Sequence, residues 1–204
     1  MRLDALLLDL GNVLVRWEWR AAFAGLLTDE EAARFHAEAD FGELNRRLDA
    51  GLGWDDAVAE LSARDPWLGR MLAVYRERYP LTLPGPVPGM ADLVAELRGL
   101  GLRLVGLTNW SAEMWPLAIP TAPVIGTLDG VVVSGVEGVG KPDPRIFRLA
   151  SQRYALRPDR TLFVDDSPPN VEAAAALGFQ AVTFTGADDL RRDLLARGVP
   201  VVAP

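Results

Sequence analysis

The stretch Ala5-Leu6-Leu7-Leu8-Asp9-Leu10-Gly11-Asn12 decides how this chain is read. Its four leading apolar residues have no polar face. A strand made of them must be covered on both sides, as in a parallel sheet between two layers of helices. The run stops at an acid, and Gly11-Asn12 marks a turn. Outward from it the same pattern recurs. Leu102–Leu107, Val131–Val133, Thr161–Val164 and Ala181–Phe184 read as further strands. Helical periods separate them: Met90 to Leu100, a short helix from Ser111, a helix capped by Asp143-Pro144 and running to Tyr154, Pro169 to Leu177, and Ala187 to Ala196. Gly178 and Gly198 end the last two. Alternating strands and helices make an α/β parallel sheet with helices on both faces.

Between the first strand and the rest lies a different pattern. Thr28-Asp-Glu-Glu31 has the form of a capping box. Ala33, Phe35, Leu44, Leu48, Val58, Leu61, Leu72 and Tyr75 fit short amphipathic helices broken at Gly51, Gly53 and Asp65-Pro66. The segment from Pro80 to Gly89 carries four prolines and reads as a non-helical return linker. The expected organisation is a core of residues 1–15 and 84–204 with an all-helical insert at 16–83.

Composition removes several function classes. The chain has 204 residues, a net charge of −7 and no cysteine, and its one histidine is His36. The acid excess argues against nucleic acid. The missing cysteine excludes thiolate chemistry, and the lone histidine argues against serine–histidine catalysis and multi-histidine metal sites. No apolar run approaches a membrane span, and Asp4 and Asp9 interrupt any signal-peptide core, so the expected location is cytoplasmic. Of 21 basic residues, 20 are arginine and one is Lys141. There are four asparagines: Asn12, Asn45, Asn109 and Asn170.

Ligands of open parallel sheets bind beyond the carboxyl ends of the strands. The residues ending the strands here are Asp9, then Thr108-Asn109, then a glycine-rich turn to Lys141, then Asp165-Asp166-Ser167 with Asn170 beyond. Carboxylates gathered on one edge repel unless a cation joins them, and an all-oxygen set suits Mg²⁺.

Leu7-Leu-Asp9-Leu-Gly11-Asn12-Val-Leu14, Leu107-Thr108-Asn109, Lys141-Pro-Asp-Pro and Phe163-Val-Asp165-Asp166 resemble, in order, the four motifs of the haloacid dehalogenase superfamily. The resemblance implies a Rossmann-like core with an inserted four-helix cap, and phosphoryl transfer through an aspartyl-phosphate on Asp9. It implies Mg²⁺ held by Asp9, the Gly11 carbonyl and Asp166, with Asp165 behind them or sharing the metal. Thr108 and Asn109 would bind the phosphate, and Lys141 would contact both Asp9 and the phosphate. Asn170 would orient the acidic loop. Trp17, Trp19 and Trp110 would line the substrate pocket at the cap.

One position departs from the family pattern. Most phosphatases of the superfamily carry a second aspartate two residues after the nucleophile, as the proton donor to the leaving group. Gly11 stands there. General acid–base help is typically worth about 10²–10⁴-fold, so the expectation is a turnover steeply dependent on leaving-group acidity. A flat dependence would point to an acid elsewhere in the chain. The Asp-Leu-Gly-Asn-Val start is similar to that of bacterial sugar-1-phosphate phosphatases, which makes a small phosphorylated metabolite, a sugar phosphate among them, the expected partner. Two alternatives stand beside it. One is a metal-free haloacid dehalogenase, whose fourth motif resembles Ser-Ser-Asn rather than Asp165-Asp166. The other is a metal- or phosphate-binding protein with weak turnover. Gly135–Pro142 imitates an NTPase phosphate loop but fails at Pro142, where a serine or threonine is needed. Oligomeric state is left open.

Overall fold

The computed structural model describes residues 3–204. Five parallel strands form one sheet: β1 (Ala5–Leu8), β2 (Arg103–Thr108), β3 (Gly130–Val133), β4 (Thr161–Asp165) and β5 (Gln180–Thr183), in the order β3-β2-β1-β4-β5. β1 is central, with Leu6 opposite Leu104 on one side and Leu162 on the other. Its residues are buried on both faces, which is why the sequence there shows no alternation. Leu6, Leu8, Leu104 and Val164 belong to one hydrophobic cluster, whereas Leu7, Val105, Leu107 and Phe163 belong to another. Successive strand residues thus point to opposite layers.

The helices are α1 (Asp29–Glu38), α2 (Phe41–Asp49), α3 (Trp54–Arg64), α4 (Pro66–Glu77), α5 (Met90–Gly99), α6 (Ala118–Thr121), α7 (Ser134–Glu137), α8 (Pro144–Tyr154), α9 (Pro168–Ala176) and α10 (Ala187–Ala196). The cluster behind Leu7 takes in Ile146 and Phe147 of α8 and Ala174 of α9. The other cluster takes in α5, α10 and the apolar faces of α1–α4, so the inserted helices share a continuous core with one side of the sheet.

Local chemistry sets the ends of the inserted helices. Thr28 and Glu31 form the reciprocal capping box, with the Glu31 N–H donating to Thr28 Oγ1 at 3.2 Å and the Thr28 N–H to Glu31 Oε2 at 2.8 Å. Asp65 caps α4 through the Trp67 N–H, with Pro66 in the first turn. Within α1 the buried residues are Ala32 and Phe35, while Ala33 faces outward, so the apolar stripe runs one position earlier than the sequence suggests.

Three expectations shift. Pro80 and its neighbours do enter a helical turn, a 3₁₀ turn at Tyr79–Thr82, where Pro80 sits in the first turn and its missing N–H costs no bond. The helix expected from Ser111 starts at Trp115, after a non-helical turn. The glycine-rich approach to Lys141 contains the short helix α7, and Lys141 itself lies in the turn before α8. The two crossings between sheet and inserted helices run side by side. The Arg16 N–H donates to the Gly85 carbonyl, the Glu18 N–H to Thr82, and the Val87 N–H back to Leu14.

Candidate active site

Because β1 is flanked by β2 on one side and β4 on the other, the loops after these strands meet at the carboxyl edge of the sheet. Asp9 follows β1 directly. Its N–H continues the ladder to Val164 at 2.8 Å, and its Oδ1 accepts from the Leu10 N–H at 2.6 Å. Lys141 Nζ lies 2.9 Å from Asp9 Oδ1 and 2.6 Å from Asp165 Oδ2, and its side chain is 1% exposed. The ammonium therefore sits between two buried carboxylates.

The backbone of Lys141 is held by Asn109, which donates from Nδ2 to the Lys141 carbonyl and accepts the Lys141 N–H at Oδ1, both at 2.8 Å. Asp165 is fully engaged. It accepts from Lys141, from the Ser167 N–H at 2.8 Å, and from Asn170 Nδ2 at 3.1 Å. Asp166 is only part-buried, and its side chain accepts from Asn12 Nδ2 at 3.2 Å. Asn12 has a positive φ of 55°, a conformation asparagine tolerates, and its Oδ1 accepts the Trp17 N–H.

Electrostatics follow from this crowding. Burial pushes the Asp9 carboxyl up to about 7, with Lys141 opposing and Asp165 adding to the rise. Burial also raises Asp166. Burial alone would lower the Lys141 ammonium, but the flanking Asp9 and Asp165 carboxylates raise it. Carboxylate oxygens of Asp9, Asp165 and Asp166 all lie within 4.8 Å of one another. Three carboxyls against one ammonium leave the site short of positive charge. Asp9, Asp165 and Asp166 form an all-oxygen donor set that could hold a hard divalent cation.

A cavity of about 230 Å³ opens onto this cluster, lined by Asp9, Gly11, Asn12, Trp17, Asn45, Asp49, Tyr79, Asn109, Trp110 and Asp166. Trp17 and Trp110 line it. Trp19 does not; it packs among Phe23, His36 and Phe41 in the inserted helices. Thr108 ends β2, is 1% exposed, and makes only a long 3.5 Å contact from its hydroxyl to the Asn109 carbonyl. Asn45 and Asp49 on α2, and Tyr79 beyond α4, were not singled out in the sequence. The one available signal was Asn45: the other three asparagines all ended on this edge, and Asn45 and Asp49 share a helix face at i,i+4 spacing.

The family model of the haloacid dehalogenase-like hydrolases matches residues 3–178. The chain belongs to this family. Its relatives include the phosphoserine phosphatase of Thermus thermophilus, 35% identical over 52% of this chain and 41% of that protein. The phosphoglycolate phosphatase of Pseudomonas putida is 31% identical over 64% and 46%. A mouse protein, acyl-CoA dehydrogenase family member 10, is 33% identical over 57% of this chain and 12% of its own length. The chain thus spans less than half the length of these three curated relatives. Among solved structures, a haloacid dehalogenase family enzyme from Bacteroides thetaiotaomicron superposes with a TM-score of 0.73 at 21% identity, covering 95% of this chain and 99% of its own. The L-2-haloacid dehalogenase of Xanthobacter autotrophicus gives a TM-score of 0.65 at 20% identity over 99% and 85%. The family's fold is therefore the fold of this chain. Among the described residues, no helix is long and apolar enough to cross a membrane.

Proposed function

We propose that this haloacid dehalogenase-like hydrolase is a Mg²⁺-dependent phosphatase acting on a small phosphorylated metabolite, with sugar phosphates the first class to try. The observation that carries the reading is the arrangement of Asp9 against the buried Lys141, with Asp166 open beside them on the cavity. In this reading an Asp9 oxygen attacks phosphorus in line with the leaving group and forms an aspartyl-phosphate. Lys141 fixes the Asp9 carboxylate and offsets the charge of the incoming phosphate. The Thr108 hydroxyl, which has no short partner among the described residues, donates to a phosphate oxygen. Asn109 acts chiefly by placing Lys141, since its amide is bonded to that residue's backbone. Mg²⁺, when bound by Asp9, the Gly11 carbonyl and Asp166, supplies the positive charge that lets two anions meet. Asn170 and Ser167 hold Asp165 so that Asp165 in turn holds Lys141. Trp17 and Trp110 shape the wall that the substrate's organic part meets.

The phosphatases among the relatives support this reading, as does the complex of the Bacteroides thetaiotaomicron enzyme with magnesium and inorganic phosphate. A screen of sugar phosphates, nucleotides and short acid phosphates, with Mg²⁺ and with a chelator, tests it. Phosphate release should need Mg²⁺ and should vanish in Asp9→Asn while the fold persists. Halide release from 2-haloacids in the presence of chelator would instead establish the metal-free alternative.

A further inference from the structure

Gly11 leaves the proposed phosphatase without a proton donor at the usual position, and the cavity contains a carboxyl that the reading has not used. Asp49 is the last residue of α2 and lines the same cavity as Asp9. Its Oδ2 accepts from Asn45 Nδ2 at 3.0 Å. Its own carbonyl accepts from Ser134 Oγ, and that hydroxyl accepts the Trp110 N–H at 2.9 Å. The end of α2 is thereby fixed to the loops that follow β2 and β3. In-line attack by Asp9 puts the leaving oxygen on the side of phosphorus away from Asp9, and Asn45, Asp49 and Tyr79 of the inserted segment line the cavity that Asp9 also lines.

We propose that Asp49 is the general acid and base of the reaction, a catalytic residue contributed by the inserted helices in place of a side chain at position 11. The proposal rests on the phosphatase reading. As the Asp9 oxygen bonds to phosphorus, the ester P–O bond breaks and its electron pair goes to the leaving oxygen, which takes the proton of the Asp49 carboxyl and departs as the alcohol. The Asp49 carboxylate then accepts a proton from water. The resulting hydroxide attacks phosphorus, the P–O bond to Asp9 breaks, and its electron pair returns to the Asp9 carboxylate as phosphate leaves. Asp49 is again protonated, and the sum is ester plus water giving alcohol plus phosphate.

The environment suits both halves of this cycle. Burial raises the Asp49 carboxyl to about 7, the Ser111 N–H opposes, Asp9 adds to the rise and Lys141 opposes it. The other ionisable groups facing it are Tyr75 and Tyr79, whose phenols burial holds above their ordinary range. A carboxyl poised near neutrality is well matched to give and take a proton. The vacancy at position 11 is real space: a Cβ built on Gly11 meets nothing within 4 Å, and the residue has no positive φ. The backbone there accepts a side chain at its Cβ, which makes Gly11→Asp a rescue variant.

The test compares an alkyl monoester, glycerol 3-phosphate or a sugar phosphate, with p-nitrophenyl phosphate in Mg²⁺. The unmodified enzyme should show a shallow leaving-group dependence. Asp49→Asn should lose about 10²–10⁴-fold in kcat on the alkyl ester and far less in the first step on the aryl ester. It should also release nitrophenolate in a burst, because the aspartyl-phosphate then waits for an unassisted water. Gly11→Asp added to Asp49→Asn should restore alkyl turnover. Should the amide disturb folding, Asp49→Ser keeps an acceptor for Asn45 and is judged by the same criteria. An alkyl kcat unchanged in Asp49→Asn overturns the assignment, as does an equal loss on both esters, through KM, that Gly11→Asp does not restore. Failure of the unmodified enzyme on every ester removes the phosphatase reading itself, so the two failures are distinct.

Discussion

Lys141 is the residue whose identity the structure explains most fully. An ammonium is a compact point charge and fits between two carboxylates 2.9 and 2.6 Å away in a fully buried slot. A guanidinium is planar, wider and built for two parallel hydrogen bonds. Lys141→Arg should therefore keep the charge yet lose about 10²-fold or more in kcat, with circular dichroism unchanged; near-normal kcat would contradict the slot's role. That a single lysine among twenty arginines marked the site was visible in the sequence, as were Asp9 and the Asp165-Asp166 pair at their strand ends. Asp49 was not visible. Its apolar neighbours Leu44 and Leu48 announce a buried helix face, but a carboxyl at a helix end is ordinary. Its importance comes from α2 docking on Ser134, a contact 85 residues away in the chain that no local pattern encodes.

At the scale of elements, the strands and longer helices follow from local rules, and their ends shift by a residue or so. The apolar run of β1, the Asp143-Pro144 start of α8 and the glycine stops after α9 and α10 are each a local instruction. The short helices α6 and α7 are less legible because too few residues contribute to a period. Helix pairing is a tertiary matter. α3 and α4 approach so closely at Gly69 that an added Cβ would lie 1.9 Å from Ser62 Oγ and 2.8 Å from Ser62 Cα. Gly69→Ala should thus push the two helices apart and destabilise the protein by about 1–3 kcal/mol, read as a lowered Tm. Removing the first cap of the insert, Thr28→Ala, should cost about 1 kcal/mol without touching the cavity. An unaltered Tm in Gly69→Ala would show that the pair tolerates separation.

For the whole molecule, the crowded acids make stability depend jointly on pH and metal. The Asp9 carboxyl is held at about 7 and Asp166 is also raised, so both are above their unfolded range. The folded state then binds protons that the unfolded state has released. Their contribution is fully present below the unfolded range near pH ~4 and is lost as pH rises above it, for Asp9 through about 7. A divalent cation should offset that loss. The rise in Tm on adding Mg²⁺ should be larger at about pH 8 than at about pH 5, and equal rises at both would count against a cation at these carboxylates. The buried lysine has one more consequence. A chain with a single ε-amino group carries a ready-made chemical handle. Amine-selective acylation at Lys141 should be slow in the folded chain, should be slowed further by phosphate occupying the cavity, and should report exposure of this buried site residue-specifically and without any engineered label.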